Sequence, residues 1–376
     1  MRRIVIFGYF GCGNLGDETN LVQLVRFIKQ NFSQAEISVI TSAPAASAKE
    51  LNVHTTGKFN LIGIINALAR ADILIGGGGS LFQDRTSLRS LLYYAGFVFL
   101  ARLFGVKVFL YGQGIGPVHS RMGKLISEWA LSMSDVITVR DRLSIITLAE
   151  LNVRAPEVHV TAEPLLLKNE LPEAGVKEYW GKYVSQKPYK IGLALQDFQG
   201  LKPYCQYHRR LWEQILDFLC LERQVEIYLL PVHRQDLILQ ERLAADSGCV
   251  ILPTHDRWED LQAAIGGLDL LVSTRLHGLV AAVVQNVPCL GLAADPKIEG
   301  FCLQLGVPFI SLLPEAESLH LCNRILKLLT QPVAERRPWQ PQLRFWKARA
   351  LENEVLLKEF ITQNYETQGI YRRYSD

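Results

Sequence analysis

The chain has 376 residues, of which 49% are apolar and 20% are charged, and its formal net charge is +3. This length favours two compact domains of a globular protein, because a single hydrophobic core rarely grows beyond about 250–300 residues. The small net charge, together with the absence of RRM, KH and zinc-finger patterns, argues against a nucleic-acid partner.

The amino terminus is expected to form a strand and not a signal peptide, because the apolar run after Arg2 and Arg3 already ends at Gly8. Seven scattered cysteines, an odd number without a C-x-x-C pair, indicate reduced thiols. Both features predict a cytoplasmic protein.

Residues 1–165 alternate between strand and helix patterns, which predicts a doubly wound parallel α/β sheet. Strands are predicted at residues 4–8, 37–41, 73–75, 106–111, 136–139 and 158–161, and helices at 19–31, 62–70, 91–104 and 124–133. Residues 91–111 are apolar on all sides, but Arg102 and Lys107 interrupt them, so a buried helix and strand fit better than a transmembrane span. A surface in peripheral contact with the inner face of the membrane is the alternative.

The loop at residues 8–18, GYFGCGNLGDE, joins the first strand to the first helix. Its Gly11-x-Gly13-x-x-Gly16 pattern nominally matches a dinucleotide fingerprint, but no acidic residue ends the second strand, and Asp17 and Glu18 would repel a pyrophosphate. A sugar acceptor suits the loop better, because a carboxylate such as Asp17 can take a hydrogen bond and a proton from a hydroxyl. The alternative is that Asp17 only caps the helix.

Two further glycine-rich segments follow predicted strands, at residues 76–80 and 111–117. The first lacks the lysine of a P-loop and resembles a backbone nest for polar groups. The second would aim Gln113 at a cleft. Three such loops at the carboxyl ends of one sheet predict one acceptor-binding edge, with Asn14, Gly16, Gly78, Gly79, Gln83, Asp84 and Gln113 as its residues.

A charge cluster follows the strand at 136–139, and Arg140, the member nearest the strand end, is expected to reach an interdomain cleft. Residues 166–188, rich in Lys, Glu and Pro, are predicted to be a linker. The second domain is expected at residues 189–330. The chain would finish with a helix over 343–360 within a terminal segment, 331–376, that packs on the first domain by analogy with other two-domain α/β proteins.

Within the second domain, strands are predicted at 190–195, 226–231, 249–252, 268–272 and 289–292, and helices at 207–222, 236–246, 258–266, 278–285 and 318–329. The strand at 268–272 leads directly into Arg275 and His277, and the next strand leads to Asp295 and Lys297. A helix starting near Gly278 would turn its backbone N–H groups toward an anion at the strand ends. The pattern predicts a site for a small, doubly charged anion, with His233 as a secondary contact. The alternatives are a helix cap or a satisfied core group at His277 and a surface ion pair at Arg275.

Seven segments, in order, carry a resemblance to a known family: GYFGCGNLGDE, GGGGSLFQDRTS, YGQGIGP, TVRDRLS, TAEP, STRLHGLVAA and ADPKIEGF. Over residues 5–305 the chain resembles the polysaccharide pyruvyltransferases, specifically the CsaB type. The resemblance implies two Rossmann-like domains facing across a cleft, as in GT-B glycosyltransferases, with phosphoenolpyruvate as co-substrate. No cofactor is expected, and no metal is expected because no His/Cys/Asp cluster has metal-ligand spacing. The resemblance also implies a cyclic ketal on a lipid-linked, N-acetylmannosamine-containing acceptor, which anchors surface-layer proteins to the wall.

With that chemistry, His277 would give a proton to carbon, since imidazole titrates near neutral pH. Arg275 and Lys297 would hold the phosphate and carboxylate of phosphoenolpyruvate, and Arg140 would complete the anion clamp. Asp17 would orient or deprotonate the acceptor.

Glu163 stands in TAEP where the family often has Asp, which leaves the acceptor sugar open. A nucleotide-sugar glycosyltransferase on the same fold is the main competing hypothesis. A non-catalytic glycan-binding or assembly protein is the alternative from another class, and a dinucleotide reductase is the weakest.

Overall fold

A computed structural model gives the fold, and it describes residues 2–85, 87–183, 187–196, 204–312 and 317–373. The chain divides into two compact units. The first unit comprises Met1–Leu167 and Phe345–Asp376, and the second comprises Lys168–Arg344. Across these described ranges, no helix combines the length and the hydropathy that a membrane span requires.

The first unit is built on a seven-stranded parallel sheet in the order β3-β2-β1-β4-β5-β6-β7. Its strands are β1 (Arg3–Phe7), β2 (Glu36–Thr41), β3 (His54–Gly57), β4 (Ile73–Gly76), β5 (Lys107–Gln113), β6 (Val136–Val139) and β7 (Glu157–Val160). The helices between them are α1 (Leu15–Asn31), α2 (Pro44–Leu51), α3 (Leu61–Ala69), α4 (Leu88–Leu103), α5 (Arg121–Ser132) and α6 (Arg142–Glu150).

The second unit is built on a six-stranded parallel sheet in the order β10-β9-β8-β11-β12-β13. Its helices and strands, in chain order, are α7 (Glu173–Trp180), β8 (Tyr189–Ala194), α8 (Tyr204–Leu221), β9 (Val225–Leu229), α9 (Asp236–Ser247), β10 (Val250–Ile251), α10 (Trp258–Gly266), β11 (Leu270–Ser273), α11 (Leu276–Val284), β12 (Cys289–Ala293), α12 (Pro296–Leu305), β13 (Phe309–Ser311), α13 (Ser318–Thr330) and α14 (Val333–Arg336). The last helix, α15 (Leu343–Arg373), belongs almost entirely to the first unit.

Each sheet has a hydrophobic core on its faces, as a doubly wound fold requires. In the first unit, one core joins the sheet to α3, α4, α5 and α6, and the other joins it to α1 and α15. Phe360 of α15 lies against Phe109 of β5, with 5.3 Å between ring centroids, so the terminal helix packs on the first unit as predicted. In the second unit, α8, α9 and α13 cover one face, with Trp212 and Leu321 in their shared core.

The predicted alternation and the doubly wound parallel sheets are confirmed. Sequence reasoning missed two edge strands, β3 and β13, and the helices α2, α6, α7, α12 and α14. Residues 9–18 were expected to form a turn throughout, but α1 already begins at Leu15, so that Asp17 and Glu18 lie in its first turn. The predicted linker at 166–188 contains α7, whose Trp180 is buried and donates a hydrogen bond to the carbonyl of Ala263 at 3.0 Å.

Candidate functional site

Each sheet has a point where its connections leave in opposite directions, and open α/β sheets bind ligands outside the strand ends there. In the second unit this point lies between β8 and β11. Thr274 marks it, because its backbone N–H donates to the carbonyl of Ala194 at 3.0 Å and its hydroxyl accepts from the N–H of Gln196 at 2.8 Å. The predicted anion-binding residues follow Thr274 directly.

Arg275 is the residue before α11, and its guanidinium forms a bidentate ion pair with Asp236. One bond joins Nε to Oδ2 at 3.0 Å, and the other joins Nη2 to Oδ1. The side chain of Asp236 is only 1% exposed, whereas that of Arg275 is 17% exposed, so a buried carboxylate holds a partly exposed guanidinium. The ion-pair alternative is thus realised, with a buried partner, and Nη1 is left outside the pair.

His277 lies one residue inside α11, half-buried, because the helix begins at Leu276 and not at Gly278. Gly278 was predicted to bind the donor, but close packing is a sufficient reason for a glycine at this position. A Cβ atom there would lie 2.9 Å from the hydroxyl oxygen of Ser273. That hydroxyl in turn accepts the N–H of Arg275 at 2.9 Å, so Gly278 allows the strand end and the helix start to approach each other.

Lys297 lies in the first turn of α12, after β12, and β12 pairs with β11. Asp295 caps this helix by accepting the N–H of Lys297 at 3.0 Å. The ammonium of Lys297 lies 3.7 Å from the same carboxylate, and one third of the lysine side chain is exposed. The structure therefore gives Asp295 a capping role and leaves Lys297 at the sheet edge.

His233 follows β9 at the same edge and is buried. Its Nδ1 accepts the N–H of Gln235 at 3.1 Å, which leaves the proton of the neutral ring on Nε2. Burial, then the adjacent Arg275 guanidinium, lower the pKa of His233, and Asp236 opposes them. At neutral pH the ring is therefore an uncharged hydrogen-bond donor.

In the first unit the glycine-rich loop after β1 encloses a carboxylate of the protein itself. Oε1 of Glu18 accepts the backbone N–H groups of Gly11 at 2.7 Å and Cys12 at 3.2 Å. Burial raises the pKa of Glu18, and the hydrogen bonds from the loop oppose that rise. Two backbone N–H groups of the loop are thus engaged by a carboxylate of the protein itself, which does not favour a pyrophosphate there.

Asp17 is buried in the first turn of α1 and accepts a hydrogen bond from the side chain of Asn14. Across the sheet's switch point, between β1 and β4, the chain passes close to it at Gly79, whose φ is +134°. A Cβ atom on Gly79 would lie 3.1 Å from the Asp17 carboxylate, and one on Gly78 would lie 3.2 Å from Asn20. The predicted residues Asn14, Asp17, Gly78 and Gly79 are thus brought together, whereas Gly16 is buried within the helix.

Arg140 was expected to reach outward, but it is 5% exposed and belongs to a buried polar network. Its Nη1 donates to Glu163 at 3.0 Å and its Nη2 to the hydroxyl of Ser80 at 3.0 Å. Asn20 donates to the other oxygen of Glu163 at 3.3 Å. An arginine buried in such a network is held within its own unit, so this geometry does not support the predicted role of Arg140 in clamping the donor.

Gln113 and Asp84 also differ from their predicted roles. Gln113 is fully buried, and its amide donates to the carbonyls of Gly76 at 3.2 Å and Tyr111 at 3.1 Å, so it does not aim at a ligand. Asp84 accepts from the N–H groups of His119 at 2.8 Å and Ser120 at 2.7 Å. Burial alone would raise the pKa of Asp84, but the Ser120 hydroxyl and these two N–H groups lower it below its ordinary value.

Gln83, the remaining predicted acceptor residue, is half-buried beside Asp84. Sequence reasoning missed three side chains that organise the two edges: Asp236, Glu18 and Asn20. Only their spacing after a strand end could have suggested them, since their partners are remote in sequence or are backbone groups. Within the described ranges, no group of three His, Cys, Asp or Glu side chains could hold a metal ion.

A family model described as polysaccharide pyruvyl transferase matches residues 14–296. No curated protein matches the chain. Among solved structures, HepE from Anabaena in complex with UDP and glucose is 12% identical, with a TM-score of 0.62 over 97% of this chain and 100% of that one.

A putative UDP-N-acetylglucosamine 2-epimerase from Listeria monocytogenes is 10% identical, with a TM-score of 0.63 over 90% of this chain and 91% of that one. MurG from Acinetobacter baumannii is 12% identical, with a TM-score of 0.55 over 96% of this chain and 100% of that one. At these identities the likeness concerns the fold alone, which is GT-B-like.

Proposed function

Since the chain belongs to the polysaccharide pyruvyl transferase family, we propose that it transfers the enolpyruvyl skeleton of phosphoenolpyruvate to a sugar. The product is a cyclic ketal, and phosphate is released. The acceptor we propose is the one that the CsaB-type motifs imply, a lipid-linked glycan containing N-acetylmannosamine, made on the cytoplasmic side of the membrane. No cofactor or metal enters this proposal.

The observation that carries the proposal is the grouping at the carboxyl edge of the second sheet. Arg275 and His277 follow β11 and Lys297 follows β12, and these two strands are direct neighbours, with Ser273 paired to Gly291. Two helices, α11 and α12, begin beside them and turn backbone N–H groups toward the same edge. Phosphoenolpyruvate, which carries a phosphate and a carboxylate, needs such a combination of cations and helix starts.

The ion pairs of Arg275 and Lys297 are compatible with this role. Asp236 holds Arg275 in one orientation, so the long arginine side chain has already lost most of its conformational entropy before the donor binds. Lys297 is held less firmly, at 3.7 Å from Asp295, and can turn toward a dianion. His233 would add an uncharged N–H donor.

In the proposed reaction, His277 protonates the methylene carbon of phosphoenolpyruvate, and the electrons of the double bond form the new C–H bond. One sugar hydroxyl attacks the resulting cation at C2. A second hydroxyl of the same sugar then displaces phosphate, which leaves with the electrons of the C2–O bond. The two hydroxyl protons balance the proton given to carbon and the one carried by phosphate.

Asp17 is the residue we propose to orient and deprotonate the acceptor in the first unit. Its carboxylate is fixed by Asn14 and lies beside Gly79, where the lack of a side chain keeps the position open to a hydroxyl. The buried network of Arg140 and Glu163 would then support the floor of this site without contacting the donor.

Phosphate release from phosphoenolpyruvate, measured with and without a panel of sugars and lipid-linked disaccharides, tests the proposal. We expect release that depends on the acceptor and a ketal product heavier than the acceptor by the pyruvyl group. Release that never responds to an acceptor, together with tight binding of a UDP-sugar, would instead establish the glycosyltransferase hypothesis.

A further inference from the structure

The outer surface of helices α3, α4 and α5 in the first unit exposes large apolar side chains. On α4 these are Leu92, Phe99 and Leu103, and on α5 they are Met122, Leu125 and Trp129, in both cases at helical spacing along one side. On α3, the exposed residues are Leu61, Ile62 and Ile65. We call these nine residues the apolar surface.

The three helices that carry the apolar surface are neighbours. Helix α4 packs against both α3 and α5. Phe99 of α4 and Trp129 of α5 have ring centroids 5.3 Å apart. The hydroxyl of Tyr93 on α4 donates to the carbonyl of Lys58, just before α3, at 3.1 Å. An apolar surface of this kind on a globular domain indicates an interaction site.

Most of the charged residues on helices α3, α4 and α5 themselves are basic. Helices α3, α4 and α5 contain a single acidic residue, Glu128. Arg89, Arg121 and Lys124 are exposed in the first turns of α4 and α5, and Arg70 is exposed just after α3. The ammonium of Lys58 lies 5.1 Å from the ring centre of Phe59, which is 83% exposed. Apolar and aromatic side chains bordered by Lys and Arg complement an anionic lipid surface.

We propose that the apolar surface binds the face of a membrane rich in anionic lipids, with the apolar side chains entering the headgroup region and the basic residues pairing with lipid phosphates. A second copy of the chain is the less favourable occupant, because a two-fold contact would place this positive margin against itself. The inference does not depend on the proposed reaction.

Vesicle sedimentation of the full chain tests the proposal, with vesicles of phosphatidylglycerol and phosphatidylcholine compared with phosphatidylcholine alone. We expect binding to the anionic vesicles at low salt, and weaker binding in high salt or without phosphatidylglycerol. Arg121→Gln combined with Lys124→Gln should weaken binding about 25-fold, since each basic residue at an anionic surface contributes about fivefold. Leu103→Asp combined with Leu125→Asp should abolish it.

Matched controls lie on the second unit. Leu221 and Leu303 are as exposed as Leu103 and Leu125, and Arg223 and Arg242 are exposed basic residues. The corresponding Asp and Gln pairs should bind like the unchanged protein, and thermal unfolding should be the same for all variants. The proposal is overturned if the unchanged protein stays in solution with anionic vesicles, if the surface variants bind as well as the controls, or if light scattering shows a dimer that the same variants dissociate.

Discussion

His277 is the residue on which the proposed chemistry depends most directly. His277→Gln keeps a polar side chain of similar size but removes the proton that would be given to carbon. We expect kcat for acceptor-dependent phosphate release to fall by about two to four orders of magnitude, with the thermal unfolding midpoint unchanged. His320, exposed on α13, provides the control, since His320→Gln should leave kcat as it is. An unaltered kcat in His277→Gln would remove this imidazole from the mechanism.

Asp236 is predicted to act on the donor through Arg275. Asp236→Asn keeps the side-chain shape but removes the charge of the bidentate pair, so the guanidinium is no longer held in one orientation. We expect KM for phosphoenolpyruvate to rise about tenfold while kcat changes little, and the free energy of unfolding to fall by about 1–3 kcal/mol. Asp246, exposed at the other end of the same helix, is the control in Asp246→Asn. A KM equal to that of the control would make the pair purely structural.

The ion pair of Arg140 and Glu163 should stabilise the first unit through its burial. Both side chains are less than 5% exposed, and Glu163→Leu would remove the nearest carboxylate from the buried guanidinium, leaving only Asp141 at 3.8 Å. Urea denaturation is expected to show a loss of about 3–5 kcal/mol in the free energy of unfolding. The exposed pair of Lys177 and Glu173 offers a comparison, because Glu173→Gln should not shift the unfolding midpoint measurably. Equal effects of the two substitutions would contradict the assignment.

These residues also show what the sequence can predict about a site. The positions of Arg275, His277 and Lys297 at strand ends follow from local patterns, because an apolar run of strand length is followed at once by a polar segment. Their partners do not follow, since Asp236 lies 39 residues from Arg275 and only the folded sheet brings them together. Gln113 illustrates the opposite kind of error. The pattern predicts that this polar residue beside a glycine-rich loop faces a ligand, but its side chain donates hydrogen bonds to backbone carbonyls.

At the scale of elements, every central strand was predictable, and so were the edge strands β7 and β10, whereas the edge strands β3 and β13 were not. Strands such as β4 and β11 are buried along their whole length, so their apolar runs are unbroken. The edge strand β3, His-Thr-Thr-Gly, has no such run, and the preceding helix α2 is short and rich in alanine. Helix α7 was hidden for a similar reason, because its Lys and Glu residues resemble a linker while a single Trp180 anchors it.

The packing of α7 on the segment before α10 should respond to pH through His255. Its Nε2 lies 3.4 Å from the hydroxyl of Tyr179, and burial lowers the pKa of His255 from 6.5 to about 4. Because the unfolded chain binds a proton on this residue at a higher pH than the folded chain does, stability falls as pH drops from about 6.5 to about 4. The loss is at most about 3.5 kcal/mol, at about 1.4 kcal/mol for each pKa unit.

Urea denaturation across this pH range checks the prediction. His255→Gln should flatten the dependence on pH, whereas His320→Gln, on an exposed part of the same unit, should leave it in place. A slope that persists unchanged in His255→Gln would assign the pH dependence to other groups.

At the scale of the whole molecule, the fold alone does not determine which reaction the protein catalyses. Over most of its length, the chain shares its fold with proteins whose structures were solved in complex with UDP-glucose or UDP. Its sequence is only 10–13% identical to theirs. One fold of this kind supports many reactions, so the residues at the strand ends, and not the two sheets, distinguish a pyruvyl transferase from a sugar-nucleotide enzyme.

The two units also differ in how the chain builds them, which leads to a prediction about folding. The second unit is a single continuous segment, whereas the first is completed only by α15 at the carboxyl end. Asn353 of this helix is fully buried, accepts the hydroxyl of Thr161 at 2.8 Å and donates to the carbonyl of Ala162 at 3.0 Å. Without α15, Thr161 and Ala162 would lose their hydrogen bonds to Asn353, and the ring of Phe109 would lose its contact with Phe360.

A fragment of residues 1–167 should therefore lack cooperative unfolding and expose apolar surface, whereas a fragment of residues 168–344 should unfold cooperatively because its core is complete. Circular dichroism during urea denaturation checks both. In the full chain, Phe360→Ala should lower the stability of the first unit by about 3–5 kcal/mol, since it leaves a cavity beside Phe109. Phe345→Ala, an exposed position on the same helix, is the control. If a fragment of residues 1–167 is as stable as the first unit of the full chain, α15 contributes little to the stability of that unit. The burial of Asn353 and Phe360 argues instead that α15 completes the core.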